Sequence, residues 1–270
     1  MSEQAIKKIL ITGANGFIGG SLMRYYQNQG QAVVGVDLVG NGDDIVEGDI
    51  YQPDSISQLL TESDVIIHTA ALVSNAMQDS DMWRVNVLAT RNLIQAAKEH
   101  KVRRFVQISS IVAYGNTAEG ELDETYPVHA DGGSYVLTKL ASEHVVLSEQ
   151  ANDDIEVVII RPGDAYGPGS RPWIIAPLEA IAKNQFMLPE KGEGFFRPIY
   201  IDDLVRGIAM ASRHPDAAGE IFNLSCEGYM FTKDYFTPHY QWLGKKGPMA
   251  VSTKLALRIS AMASVVAHLM

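Results

Sequence analysis

Tyr135 and Lys139 stand four residues apart in a segment, Tyr135 to Ala151, whose apolar residues recur at helical spacing. Both side chains then share one helix face, one turn apart. An ammonium beside a phenol favours the phenolate, so the phenol's pKa is expected to fall towards neutrality. Such a group can take a proton from an alcohol or return one to a ketone. Taken alone, a tyrosine and a lysine at this spacing fit surface side chains better than an active site. Their weight comes from their surroundings.

A second candidate group is Thr12-Gly13-Ala14-Asn15-Gly16-Phe17-Ile18-Gly19, which follows an apolar run and opens a helix-period segment. Gly13 permits a tight turn, Gly16 removes the Cβ that would keep backbone from a pyrophosphate, and Gly19 lets the helix lie close to a sheet. The helix N-terminus then faces the phosphates. An ordinary glycine-rich strand-to-helix turn has the same composition. Asp37 tips the reading, because it ends the next apolar run 18 residues beyond Gly19. There a carboxylate can accept both adenosine ribose hydroxyls and would repel a 2′-phosphate, which selects NAD over NADP. Asp is also a common turn residue, and it is the register with the glycines that favours the binding role.

Positioning these groups takes a parallel sheet. Short apolar runs suited to buried strands occur at Lys8 to Thr12, Ala32 to Asp37, Val65 to Thr69, Arg104 to Ser109 and Val157 to Arg161. Helix-period segments separate them at Ile18 to Gln29, Ser55 to Glu62, Trp83 to His100 and Tyr135 to Ala151. The alternation predicts a doubly wound α/β fold. After Pro162 the chain turns rich in Gly and Pro and the alternation stops. The expected division is residues 1–162 as the dinucleotide-binding domain with the catalytic residues, and 163–270 as a smaller, interleaved substrate lobe.

Composition removes several classes of function. The formal charge is −10 and no Lys/Arg-rich run is present, so a nucleic-acid partner has no electrostatic footprint. Cys226 is the single cysteine and the seven histidines are scattered, so neither a disulfide nor a metal site has a residue set. The opening MSEQAIKKIL runs into a strand-like segment with no signal-peptide core, which makes the cytoplasm the expected compartment. From Ser252 to Met270 an apolar run is interrupted by Lys254 and Arg258. It falls short of the roughly 20 residues of a membrane span and reads as a helix, packed internally or else against a partner or a lipid surface.

Together, TGANGFIG at 12 to 19, Asp49-Ile50, His68-Thr69-Ala70-Ala71, Asn86, Ser109-Ser110-x-x-x-Tyr114-Gly115 and Tyr135-x-x-x-Lys139 resemble the extended short-chain dehydrogenase/reductases, also called the NAD-dependent epimerase/dehydratase family. Later landmarks are similar too: Arg161-Pro162-Gly163, Tyr166-Gly167-Pro168-Gly169 and Tyr200-Ile201-Asp202-Asp203-Leu204. The resemblance implies a Rossmann-type sheet, NAD as cofactor and a small-molecule substrate. It makes Tyr135 the general acid/base, Lys139 the group that holds the nicotinamide ribose, and Ser110 the hydrogen-bond partner of the reacting oxygen. Asp49 and Ile50 would meet the adenine and the Phe17 and Ile18 amides the pyrophosphate. Thr69, Ala70, Ala71 and Leu72 would line the cofactor's middle. Asn15, Asn86, Ser109 and Pro162 complete the expected cofactor contacts, and Tyr135 and Lys139 also belong to them. His68 ends a buried run beside small residues and is expected to pack or hydrogen-bond. The resemblance further implies a homodimer formed through the Trp83 to His100 and Tyr135 to Ala151 helices, and a chain that continues past Met270.

Departures from the family's pattern bear on the substrate. The family's dehydratases place Asp-Glu directly after the Ser/Thr to eliminate water, whereas Ile111 and Val112 follow Ser110 and cannot move protons. Its nucleotide-sugar epimerases carry Asn where Asp164 stands, and a carboxylate there would repel a diphosphate. Their phosphate-binding arginine aligns with Phe196, and Arg197 comes one residue late. Trp173, Met187, Leu188, Phe195 and Phe196 would line an apolar pocket or form the lobe's core. The expected activity is hydride transfer between nicotinamide and a secondary alcohol or ketone of a largely apolar or unphosphorylated substrate, as in the 3β-hydroxysteroid dehydrogenase-like branch. A nucleotide-sugar 4-epimerase that oxidises transiently with tightly bound NAD is the alternative. A non-catalytic NAD-sensing regulator is a further one, against which the intact Ser110, Tyr135 and Lys139 argue.

Overall fold

Buried β-branched runs make the strands. In a computed structural model that describes residues 6–42, 44–73, 78–115, 120–151 and 154–258, the first run, Ile9–Thr12 (β1), is buried at every position, as a strand covered on both faces must be. Then follow a helix Phe17–Asn28 (α1), the strands Val33–Asp37 (β2) and Ile45–Glu47 (β3), and a short helix Ser57–Glu62 (α2). Strand Val65–His68 (β4) leads to Asp79–Trp83 (α3) and Thr90–Glu99 (α4), and Arg104–Ile108 (β5) to Ser134–Gln150 (α5) and Glu156–Pro162 (β6). The segment expected as one helix from Trp83 is interrupted: a π-helical turn, Arg84–Ala89, separates α3 from α4. Wide turns of this kind recur at functional sites.

By its contacts the chain divides into two units, residues 1–163 with 201–224, and 164–200 with 225–270. In the second unit the chain forms Asp164–Tyr166 (β7), Ala176–Ala182 (α6), Phe195–Phe196 (β8) and Pro198–Tyr200 (β9). It returns to the first unit for Ile201–Arg213 (α7) and Ile221–Leu224 (β10), and continues in the second as Met230–Phe231 (β11) and Thr232–Trp242 (α8).

The first unit holds a seven-stranded sheet in the order β10-β6-β5-β4-β1-β2-β3. Every pairing in it is parallel, from Ile9 opposite Val33 and Val65 at the centre to Ile221 opposite Ile159 at one edge. This is the Rossmann-type doubly wound arrangement, and strand order reverses between β1 and β4, where ligands of such sheets bind. Two strands go beyond the five runs read from the sequence, β3 and β10. Arg104, fully buried in β5, donates to Glu156 and to the carbonyls of Ala211 and His214, tying the sheet to the end of α7.

The second unit has its own core of Leu188, Phe196, Tyr235 and Phe236, with Tyr166, Trp173 and Phe186 packed against it. Phe196 and Leu188 therefore act as core, while Phe195 on the other face of β8 is 65% exposed. Residues 253–258 are helical, and the remainder of the helix expected up to Met270 lies outside the described residues. Among the described residues no helix is long and apolar enough to cross a membrane.

Candidate active site

β1 runs directly into the glycine loop. Gly13 takes a left-handed conformation, φ +68°, and a Cβ built there would lie 2.7 Å from the Ala70 backbone. Only glycine fits that conformation without strain. At Gly19, in the first turn of α1, a Cβ would run into the Gly13 carbonyl oxygen and the Thr69 hydroxyl. Gly16 is the N-cap of α1 and supplies no side-chain cap, so the amides of the first turn, Phe17 and Ile18 among them, keep donor capacity for an anion.

Gly13, Gly16, Asp37, Asp49, Ile50, Thr69, Ala70, Ala71 and Leu72 line one cavity, together with Val36, Leu38, Gly48 and Val85. The last four escaped the sequence reading; Leu38 and Gly48 are chain neighbours of Asp37 and Asp49, whereas Val85 comes from the π-helical turn and has no sequence signal. Asn15 lines a separate hollow on the other side of the loop, with Arg24 and Asn41. Its side chain donates to Val39 O. Each Asp37 oxygen accepts one backbone N–H, from Leu38 at 2.8 Å and Asn15 at 2.9 Å. A carboxylate has about four lone-pair sites, so acceptor capacity for a ribose diol remains.

Behind this cavity, buried polar side chains tie the loops together. Asn86, carried inward by the π-helical turn, accepts from Leu72 N at 2.7 Å and donates to Leu72 O and to the Thr138 hydroxyl, both at 3.0 Å. It thus joins the 69–72 segment to α5. His68 Nδ1 lies 2.6 Å from the Thr12 hydroxyl and Nε2 2.9 Å from that of Thr90. Since Thr90 donates to Asn86 O, Nε2 must be the protonated nitrogen and Nδ1 accepts from Thr12. Burial, with the nearby Lys139 charge, holds this imidazole neutral down to about pH 3.

Ser109 and Ser110 follow directly on β5, and Tyr135 and Lys139 lie in the first two turns of α5. The Ser109 hydroxyl is buried with no hydrogen-bond partner among the described residues, an unmet donor of the kind a ligand satisfies. Ser110 accepts from Val112 N and hydrogen-bonds the Tyr135 phenol. Pro162, at the end of β6, is buried and pairs with Leu224. Neither it nor Asn86, Ser109, Tyr135 or Lys139 lines the cavity beside Asp37.

One sequence expectation is corrected here. The Tyr135 phenol is not depressed: burial pushes it up to about 12, opposed by the hydrogen bond with Ser110. The reason is where the charge sits. Lys139 Nζ donates to the Ile108 carbonyl at 2.9 Å and stands 6.0 Å from the centre of the Tyr135 ring. Burial pulls the ammonium itself down to about 8, against the attraction of Glu143. The pair as it stands is a neutral acid beside a cation on the edge of titration.

The glycine turn, the uncapped helix end, the Asp37 cavity and the unmet Ser109 hydroxyl suit a dinucleotide. A family model described as "NAD dependent epimerase/dehydratase family" matches residues 9–225. The chain is 31% identical to a UDP-glucose 4-epimerase of Vibrio cholerae, over 81% of this chain and 70% of that protein. It is 27% identical to a 3 beta-hydroxysteroid dehydrogenase/Delta 5-->4-isomerase of Mycobacterium tuberculosis, over 89% and 70%. Among solved structures, UDP-glucuronic acid 4-epimerase from Bacillus cereus in complex with NAD superposes with a TM-score of 0.80 at 27% identity, covering 92% of this chain and 88% of that one.

Proposed function

Because the chain belongs to the NAD dependent epimerase/dehydratase family and is an NAD-dependent enzyme, we propose that it is a dehydrogenase of secondary alcohols, acting on a largely apolar or unphosphorylated substrate. Bound NAD supplies the hydride acceptor and, once reduced, the donor. The protein has to manage the proton. In the reductive direction Tyr135, kept protonated by burial, gives its proton to the carbonyl oxygen. In the oxidative direction the alcohol proton goes to the phenolate, whose charge the Lys139 ammonium, 6.0 Å from the ring centre, stabilises once it turns from the Ile108 carbonyl towards the phenol oxygen. Ser110, already bonded to the phenol, holds the reacting oxygen beside it. Asp37 and the glycine turn bind the adenosine and pyrophosphate halves of the cofactor.

The observation that carries the substrate class lies in the β8 to β9 segment. Where the family's epimerases use an arginine for a diphosphate, Phe196 is buried, 4.7 Å from Trp173 and 4.1 Å from Tyr235 between ring centres. Arg197 falls on the opposite face, over the rings of Phe195 and Tyr229, and donates to Gly228 O. Burial raises the Asp164 carboxyl to about 6 against a hydrogen bond from Arg197 N, which leaves it mainly anionic at neutral pH and unfavourable to phosphate. Ile111 and Val112 bring no acid–base group for dehydration. The competing reading, a nucleotide-sugar 4-epimerase, is favoured by the Vibrio cholerae relative.

One assay separates the two. Absorbance of reduced nicotinamide is followed with NAD and a panel of steroid, aliphatic and sugar alcohols, beside a parallel assay for inverted UDP-sugars. Net NADH with an apolar alcohol is the expected result; sugar inversion without net NADH overturns the dehydrogenase reading in favour of the epimerase.

Asp37→Ala tests the cofactor assignment. Loss of a charged acceptor is expected to weaken NAD by roughly tenfold or more, and to weaken NADP less, because the repulsion of its 2′-phosphate goes as well. Calorimetric titration of both dinucleotides reads the difference.

We also assign the protein to the cytoplasm and to a homodimer. The exposed lone thiol of Cys226 suits a reducing compartment. Trp83 and Leu88, 41% and 42% exposed beside α4, offer apolar surface for a second copy.

A further inference from the structure

Behind Tyr135 runs a file of three buried charges that the reading above does not use. Lys139, Glu143 and Arg161 are 5%, 1% and 3% exposed. Glu143 follows Lys139 by one turn of α5, so the two share a face. Both Glu143 oxygens are taken by one guanidinium, Arg161 Nε to Oε1 at 3.0 Å and Nη2 to Oε2 at 2.7 Å. Arg161 Nη1 donates to the Tyr114 hydroxyl at 2.9 Å, which in turn donates to Asn223 Oδ1. Glu124 accepts from Asn223 N. The file therefore ties α5 to β6, to the turn after β5 and to β10.

Anchoring a helix does not require this. Val136, Leu140 and Val146 already bury apolar surface on α5, and a buried ion pair contributes little stability over apolar residues of the same volume. What apolar residues cannot supply is negative charge next to a buried ammonium. The groups facing Lys139 are Tyr135 and Glu143 on α5, the Ile108 carbonyl on β5 and His68 on β4. Tyr135 and His68 are neutral near pH 7, which leaves Glu143 as the anion among the described residues.

We propose that Glu143, clamped by Arg161, is a positioning residue of the reaction: it supplies the counter-charge against which the Lys139 ammonium is held beside Tyr135. The inference rests on the assignment of proton transfer to Tyr135 and Lys139. Lys139 is already lowered to about 8 by burial, so without Glu143 its cation is lost at a lower pH. Turnover that needs the cation then fails at a lower pH too.

The test is kcat against pH for Glu143→Gln, with NAD affinity measured alongside. The alkaline fall in kcat is expected to move down by about one pH unit, with about fivefold lower kcat at pH 8 and little change in NAD affinity. Glu143→Asp keeps the charge and should restore most of the wild-type profile. If Glu143→Gln does not fold, the double variant Glu143→Leu/Arg161→Met replaces the pair with apolar volume and is read the same way. An alkaline limb that stays at the wild-type position in the folded variant overturns the proposal, whatever happens to thermal stability. Tyr135→Phe run in parallel separates the two levels. If it turns over normally, the proton-transfer assignment itself fails; if it is inactive while the Glu143 profile is unmoved, only the role of Glu143 fails.

Discussion

Replacing Tyr135 with phenylalanine is expected to lower kcat by about 10²- to 10⁴-fold, the range of a positioned acid–base group, while NAD affinity changes little. The substitution removes one oxygen from a half-buried ring. Among the described residues its polar partner is the Ser110 hydroxyl, which keeps its bond from Val112 N. None of the walls of the Asp37 cavity belongs to Tyr135, so the cofactor's adenosine end has no reason to notice the change. Single-turnover kinetics with calorimetric NAD binding checks both halves. Turnover at the wild-type rate would remove Tyr135 from the mechanism, and a parallel loss of NAD affinity would make it a cofactor contact first.

Gly13→Ala is expected to weaken NAD by about 100-fold or more and to lower the Tm. A left-handed conformation costs a non-glycine residue about 1–2 kcal/mol, and the new methyl would meet the Ala70 backbone at 2.7 Å, an overlap that typically costs a further 1–3 kcal/mol. Relieving it means displacing either the glycine loop or the 69–72 segment, and both line the cavity. Together the two terms come to about 2–5 kcal/mol, a range that spans the roughly 2.8 kcal/mol of a hundredfold change. Gly30→Ala is the control: it has the same sign of φ, +67°, but opens onto free space. It should lower the Tm slightly and leave NAD binding alone. Equal loss of NAD affinity in both variants would show that strain, not the shape of the cavity, is responsible.

The central strands were legible because β1, β4, β5 and β6 are short runs buried on both faces, and such runs need nothing from distant residues to be recognised. Ile45–Glu47 was not: three residues at a sheet edge, with only Ile45 buried, leave no pattern. Nor was Ile221–Leu224, which is half-buried throughout and becomes a strand by pairing with β6. The glycine turn and the spacing of Asp37 specified one wall of the cavity. Val85 could not be read, since the π-helical turn that delivers it has the same apolar spacing as an α-helix to within a residue. The charge state of Tyr135 and Lys139 escaped for a different reason. Spacing puts two side chains on one face, but the Ile108 carbonyl that takes the ammonium belongs to a strand thirty-one residues earlier.

The last strand of the sheet has a consequence during synthesis. Ile159 pairs with Ile221, so at about 5–20 residues per second roughly 3–12 s elapse between the emergence of β6 from the ribosome and that of the strand that covers it. During that interval the strand Glu156–Pro162, apolar from Val157 to Ile160, presents an open row of backbone donors and acceptors to any neighbouring chain. Fragments that stop before Ile221 keep that edge for good and should precipitate, whereas fragments that extend through Leu224 close it.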